Sequence, residues 1–201
     1  NAGQRSLEHM TGVPNAGNST FASTAAAFRR NGTWVTPTLA VYWALAHQDD
    51  STVLNDRRIA SLSPSLRAFW DYQKVGWSGD MSAEAMRKNY RSTLANVKAL
   101  NAAGVPLLTG TDLAFVYVYP GSSVHEELEH LVEAGLSPLD AIRASTLNPA
   151  RYLSREHELG AIERGQAAAV VNRPVGVCAS PFRKRRKLLS VVKITVVSFR
   201  N

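Results

Sequence analysis

A chain of 201 residues with 45% apolar side chains can bury one substantial core, or one core and an appendage. No run approaches the roughly 20 apolar residues of a membrane-spanning helix. The one cysteine, Cys178, excludes an internal disulfide and a cysteine-based zinc cluster. The net charge of +7 is unevenly spread: from Arg164 onward there are nine Lys/Arg and no Asp/Glu, whereas the first 163 residues carry 14 basic and 16 acidic side chains. The basic character belongs to a tail and says little about what the body binds.

In chain order, RSLEHM (5–10) reads as a short strand ending in a histidine, followed by a Gly/Asn/Pro-rich loop through Asn18. Ser19 or Thr20 can cap a helix whose apolar face includes Phe21, Ala25 and Phe28, and Asn31-Gly32 stops it. TWVTPTLAVY then opens as a strand, with Pro37 placed near its end because proline cannot donate to a ladder. Residues 42–79 read as an irregular, partly helical excursion rich in Ser, Asp, Trp and Arg. Excursions of that length are functional or mobile more often than not. A strong helix follows, with Met86, Tyr90, Leu94, Val97 and Leu100 three or four residues apart and Gly104 as its stop.

VPLLTG (105–110) is a continuous apolar run, the mark of a strand buried on both faces. Two helices come next. The first places Val124, Leu128 and Leu131 on one stripe and closes at Gly135. The second has Ser137 as cap, Pro138 at its first position and Asp140 completing a capping-box variant. This alternation predicts an α/β fold with a parallel sheet covered by helices. From Ala167 the periodicity is lost, five basic residues run from Arg183 to Lys187, and the chain ends in a β-prone stretch. The chain opens on NAGQRSLEH, without an initiator Met, a basic start or an apolar stretch, so it suggests no signal segment and no compartment.

Two residues stand out chemically. His9 and Asp112 each fall at the carboxyl end of a predicted buried strand, the rim on which parallel α/β folds concentrate their chemistry. Either could be a structural cap by itself; the matching placement on two strands makes them a candidate pair. HEELEH (125–130) sets its histidines five positions apart where a metalloprotease helix sets them four apart. At about 100° per residue the rings point about 140° apart, so these are expected to be charged residues on a solvated helix face. The basic run lacks interleaved aromatics, which argues against base stacking and makes nucleic-acid binding an unfavoured reading. Gly110-Thr111-Asp112 lacks the glycine spacing and lysine of a phosphate loop. Cys178 has no His or acidic neighbour in sequence and reads as an incidental thiol. Trp34 lies in the second strand; Trp43, Trp70 and Trp77 lie in the excursion, where a packed lid is favoured over a ligand cage.

SLEHMTG, GTWVTPTL, AAGVPLLTGTDLA and HEELEHLVEAGLSPLDAIRASTLNPARYL, in this order, resemble the C-terminal half of the amidohydrolase superfamily, in its imidazolonepropionase-like and prolidase-like branch. The resemblance runs from about Gln4 to Gln166. It implies the C-terminal portion of a (β/α)₈ TIM-type metal-dependent hydrolase barrel, incomplete, over residues 1–166, with strands 6 to 8 and a lid-like insertion at 42–79. Residues 167–201 would be a divergent basic tail. By the same resemblance His9 is a metal-ligating histidine closing the sixth strand, and residues 33–39 are the seventh. Asp112, after the eighth, is both a metal ligand and the catalytic proton shuttle. A divalent metal, zinc in the first instance, is the implied cofactor, and the full-length parent would act on a small amide or dipeptide-like substrate.

The family's His-x-His, bridging lysine and remaining histidine would precede Asn1. After LGAIERGQAA the sequence departs from the family pattern, which suggests a truncated gene product or an altered reading frame. One histidine and one aspartate cannot hold two metals, and four strands or fewer cannot close an eight-stranded barrel. The expectation is therefore a hydrolase fragment, inactive as an isolated chain and prone to self-association through open edges. The alternative is a non-catalytic α/β module whose basic tail binds anionic partners.

Overall fold

The computed structural model describes residues 3–76 and 82–167. The basic run 183–187, Cys178, Trp77 and the end of the 42–79 excursion lie outside the described residues. Strand β1 (Ser6–Glu8) pairs in parallel with β2 (Trp34–Thr36), with Ser6 opposite Trp34 and Leu7 opposite Val35. A third segment joins on the other side of β2, where Val35 faces Leu107 in parallel. There the Val35 nitrogen donates to the Pro106 carbonyl at 3.0 Å, and the Leu108 nitrogen donates to the Val35 carbonyl at 2.9 Å. Parallel neighbours need crossovers, and helices supply both.

Helix α1 (Phe21–Asn31) returns the chain from β1 to β2, burying Phe21 and Ala25. Its start differs from expectation. Thr20 makes no capping bond with its side chain, and Asn18 closes the turn instead, its Oδ1 accepting from the Thr20 nitrogen at 2.9 Å. Gly32 ends the helix in the left-handed region (φ 62°), where its N–H reaches the carbonyls of Phe28 and Arg29.

The second crossover contains α2 (Leu39–Ala46), α3 (Ser51–Leu54), a 3₁₀ turn (Arg57–Ser61), α4 (Pro64–Gly76) and α5 (Ala83–Ala102). The excursion is thus mostly helical. Asp50 and Asp56 cap its short helices through their side chains. Helix α2, LAVYWALA, is apolar on every face, as a buried helix must be. After residues 106–108 come α6 (Ser123–Glu133), α7 (Pro138–Ser145) and α8 (Leu147–Tyr152). Ser137 caps α7 as expected, its Oγ accepting from the Asp140 nitrogen.

Two apolar clusters hold these elements. The main one lies over the sheet and joins Val35 and Leu107 to Phe21 of α1, Leu39 of α2, Val97 and Leu100 of α5, and Leu131 of α6. The second joins Val41, Ala44 and Leu45 of α2 to Val53, Leu62, Trp70 and residues 115–119. Helix α2 contributes to both and links them.

The sheet's outer edge at residues 106–108 is closed from within the chain. The Leu107 carbonyl points away from β2 and accepts from Asn148 Nδ2 at 2.9 Å, and the Thr109 nitrogen donates to the Ala144 carbonyl at 2.9 Å. On β1 the outward Ser6 carbonyl meets only Gln4 Nε2 among the described residues, through an exposed local bond. Among the described residues no helix is long and apolar enough to cross a membrane.

One sequence expectation is overturned. HEELEH does not lie on a solvated face: Glu127 is 0% exposed, His130 1% and Glu126 8%. The buried face of α6 consists of Ser123, Glu126, Glu127, His130 and Leu131, while Val124, assigned to the apolar stripe, is exposed. Charge pattern alone misassigned the face because Glu126, Glu127 and His130 each meet a partner elsewhere in the fold: Arg58, the Leu39 and Ala40 nitrogens, and Tyr90.

Candidate functional site

Three loops leave the carboxyl ends of the strands, and each places a non-glycine residue in the left-handed region: His9 (φ 65°), Thr38 (φ 51°) and Asp112 (φ 50°). Such residues are uncommon outside glycine and collect at functional positions. The His9 backbone is held by its N–H, which donates to the Thr36 carbonyl at 2.9 Å. Its imidazole Nδ1 lies 2.7 Å from Thr38 Oγ1. The other ring nitrogen, Nε2, faces Asp112 Oδ2 at 4.0 Å, and both side chains are half-exposed (40% and 46%). The two residues singled out in the sequence are therefore neighbours on one rim.

Asp112 is carried there by a tight approach. Gly110 passes over β2 so closely that an added Cβ would overlap the Thr36 methyl. Past the aspartate, the Phe115 nitrogen donates to the Asp112 carbonyl at 3.1 Å, closing a turn that leads into buried residues 115–119. Met10, next to His9, donates its N–H to Tyr42 Oη at 3.1 Å, tying the histidine loop to α2.

A neutral imidazole and a carboxylate are ordinary donors for a divalent cation, yet zinc takes four. Among the described residues no group of three or more His, Cys, Asp or Glu side chains is gathered to hold a metal ion. His9 and Asp112 fit part of a coordination shell and do not fill one. Thr109 Oγ1, two residues before Thr111, is buried without a hydrogen-bond partner.

Sequence reasoning missed the groups that support this rim. Thr38, almost fully buried, flanks α2 without capping it. The carboxylate of Glu127 does that work from α6, accepting from the Leu39 nitrogen at 3.0 Å and the Ala40 nitrogen at 2.7 Å. Burial pushes the Glu127 carboxyl up to about 8, against the pull of those two N–H donors. Alongside it, Tyr90 Oη donates to Glu133 Oε2 at 2.9 Å and lies 3.0 Å from His130 Nδ1. The Trp43 ring stacks between His47 and His130. The usable signal was helical spacing: Ser123, Glu127, His130 and Leu131 recur at intervals of three and four.

The excursion is fastened to the segment after Asp112. Trp70 Nε1 donates to the Ala114 carbonyl at 3.1 Å, and its ring meets Tyr117 and Tyr119 edge-on. Arg58 donates to both oxygens of Asp56, to Glu126 Oε1 at 2.5 Å and to Ser122 Oγ at 2.8 Å, with its guanidinium 3.9 Å above the Tyr119 ring. These partners outweigh burial and raise the Arg58 pKa further. Burial, reinforced by Asp56, raises that of the Tyr119 phenol.

Comparison with known proteins bears on the family and the fold. Residues 1–172 match the Amidohydrolase family. An imidazolonepropionase of Shouchella clausii (strain KSM-K16) is 34% identical over 82 residues, which is 38% of this chain and 17% of that protein. Among solved structures, a bottromycin amidohydrolase superposes with a TM-score of 0.57 at 26% identity, over 80% of this chain and 39% of that one. A Xaa-Pro dipeptidase with bound methionine in its active site superposes at 0.53 and 20% identity, over 82% of this chain and 32% of that one. The chain thus spans less than two-fifths of each of these proteins. Its match to the family pattern covers most of its own length: the chain belongs to the amidohydrolase family.

Proposed function

We propose that this chain is the C-terminal part of a metal-dependent hydrolase that cleaves amide or other C–N bonds, with residues 1–166 forming strands 6 to 8 of an incomplete (β/α)₈ barrel. The observation that carries the reading is the convergence of His9 Nε2 and Asp112 Oδ2, 4.0 Å apart, at the carboxyl ends of parallel strands. The family membership and the fold likeness support it.

In this reading His9 and Asp112 are metal donors and Asp112 is also the proton shuttle. A divalent ion such as zinc, when bound, supplies a water acidic enough to be deprotonated near neutral pH. The half-exposed Asp112 carboxylate can take that proton and deliver it to the departing nitrogen. Neutral imidazole from His9 suits the ion without adding charge. The remaining donors come from outside this chain. The substrate is a small amide or dipeptide-like molecule, and residues 42–79 border its access as a lid-like insertion.

The test is a Zn²⁺ titration of the 201-residue chain beside His9→Ala and Asp112→Ala, with an amide-hydrolysis assay on each. We expect weak binding by the wild-type chain, at least tenfold weaker binding by either variant, and no turnover by any of them. Zn²⁺ binding that ignores both substitutions, or turnover by the chain alone, refutes the assignment.

A further inference from the structure

Thr38 sits at the N-terminal flank of α2, the position where a threonine hydroxyl ordinarily accepts from the helix's first free N–H groups. It does not do so here. Its backbone is left-handed (φ 51°, ψ 48°), its side chain makes no capping bond, and its Oγ1 lies 2.7 Å from His9 Nδ1. The orphan N–H groups of Leu39 and Ala40 are held instead by the fully buried Glu127 carboxylate. A carboxylate from a different helix thereby relieves Thr38 of its local duty and leaves the hydroxyl to the imidazole.

We propose that Thr38 is a positioning residue that fixes the His9 ring, holding Nε2 toward Asp112, and that Glu127 enables this by capping α2 in its place. The proposal rests on the reading of His9 and Asp112 as a site. Nothing else in the described fold constrains the ring by a hydrogen bond: His9 is half-exposed, and the Thr36 carbonyl holds only its backbone. The choice of a hydroxyl has a chemical consequence. A hydroxyl both donates and accepts. With Nδ1–H donating to Oγ1, Nε2 presents a lone pair, as a metal ligand must. With Oγ1–H donating to Nδ1, Nε2 carries the hydrogen and faces the carboxylate. One ring pose serves both tautomers, which a carbonyl or carboxylate partner would not allow.

The test uses the full chain labelled with ¹⁵N-histidine, with His9 assigned by its loss in His9→Gln. Thr38→Val keeps the shape and removes the hydroxyl; Thr38→Ser keeps the hydroxyl. Thr38→Gly removes it while relieving the left-handed backbone, so that loss of folding cannot mask the answer. We expect His9 ring-nitrogen signals in wild type and Thr38→Ser that differ from free imidazole. In Thr38→Val and Thr38→Gly they should move to the averaged values of an unconstrained ring, while His47, His125, His130 and His157 stay put. Zn²⁺ binding should weaken about tenfold in Thr38→Val and return to within about twofold in Thr38→Ser. Unchanged His9 signals in folded Thr38→Val or Thr38→Gly overturn the proposal. Absence of Zn²⁺ binding by the wild-type chain would instead sink the metal reading, and the ring signals alone would then decide the role of Thr38.

Discussion

Glu127 Oε2 lies 2.7 Å from the backbone nitrogen of Ala40, so that the first turn of α2 is capped by a buried carboxyl group from α6. In the folded chain its carboxyl is pushed up to about 8 from an ordinary 4.5, chiefly by burial. The folded state therefore keeps a proton that the unfolded chain releases. The sign follows: stability falls as pH rises from about 4.5, and the fall levels off above about 8. The ceiling on the slope is about 1.4 kcal/mol per pH unit. Urea unfolding at pH 5, 6.5 and 8 should show this for wild type and a flatter profile for Glu127→Gln. Glu129, also raised by burial, is common to both proteins, so the difference reports Glu127. Parallel profiles would contradict the assignment.

Arg58 gathers Asp56, Ser122 and Glu126 around one guanidinium and covers the Tyr119 ring. Arg58→Ala leaves two largely buried carboxylates without their cation and should lower stability by about 2 kcal/mol or more. Arg58→Lys supplies the charge without the planar fork and should recover less than half. Chemical denaturation measures both; a lysine variant as stable as wild type would show that charge alone suffices.

Trp70 ties α4 to the chain just past Asp112 through its bond to the Ala114 carbonyl and its edge-on rings. Trp70→Phe removes the bond and part of the packing and should cost about 1–2 kcal/mol; Trp70→Ala should cost about 3–5 kcal/mol. Hydrogen exchange should then rise together in residues 64–74 and 114–119. Faster exchange in only one of the two segments would argue that they move independently.

Gly110 lets the strand-to-loop turn pass over Thr36. Gly110→Ala should cost about 1–3 kcal/mol through overpacking. Thr36→Ser, which removes the clashing methyl, should recover a large part in the double variant. A double variant no more stable than Gly110→Ala would place the strain elsewhere.

Much of this was legible in sequence. The short strand before His9 was legible in RSLEHM, and Gly32, Gly104 and Gly135 marked helix ends; the strand expected over 105–110 reduces to one parallel bridge, Leu107 to Val35. Helix α2 was not legible as a helix: LAVYWALA has no polar face, and an apolar run without periodicity cannot be told from a buried strand. The strand expected over 33–39 therefore stops at Thr36, with Pro37 directly after it. Glu127 and His130 were misplaced for a related reason. Their burial depends on Leu39, Ala40 and Tyr90, at least 40 residues away in sequence, and local pattern holds no record of such partners. The pairing of His9 with Asp112 was anticipated from their positions on the strands, whereas Thr38, which faces the ring, carried no signal beyond its nearness to Pro37.

The two borders of the small sheet are unequal. Asn148 and Ala144 occupy outward groups at Leu107 and Thr109, while β1 offers its outward Ser6 carbonyl with only the exposed Gln4 amide to displace. Among the described residues, a strand added beside β1 finds a carbonyl held only by an exposed local bond, whereas one added beside residues 106–108 must first displace the Asn148 amide and the Ala144 carbonyl.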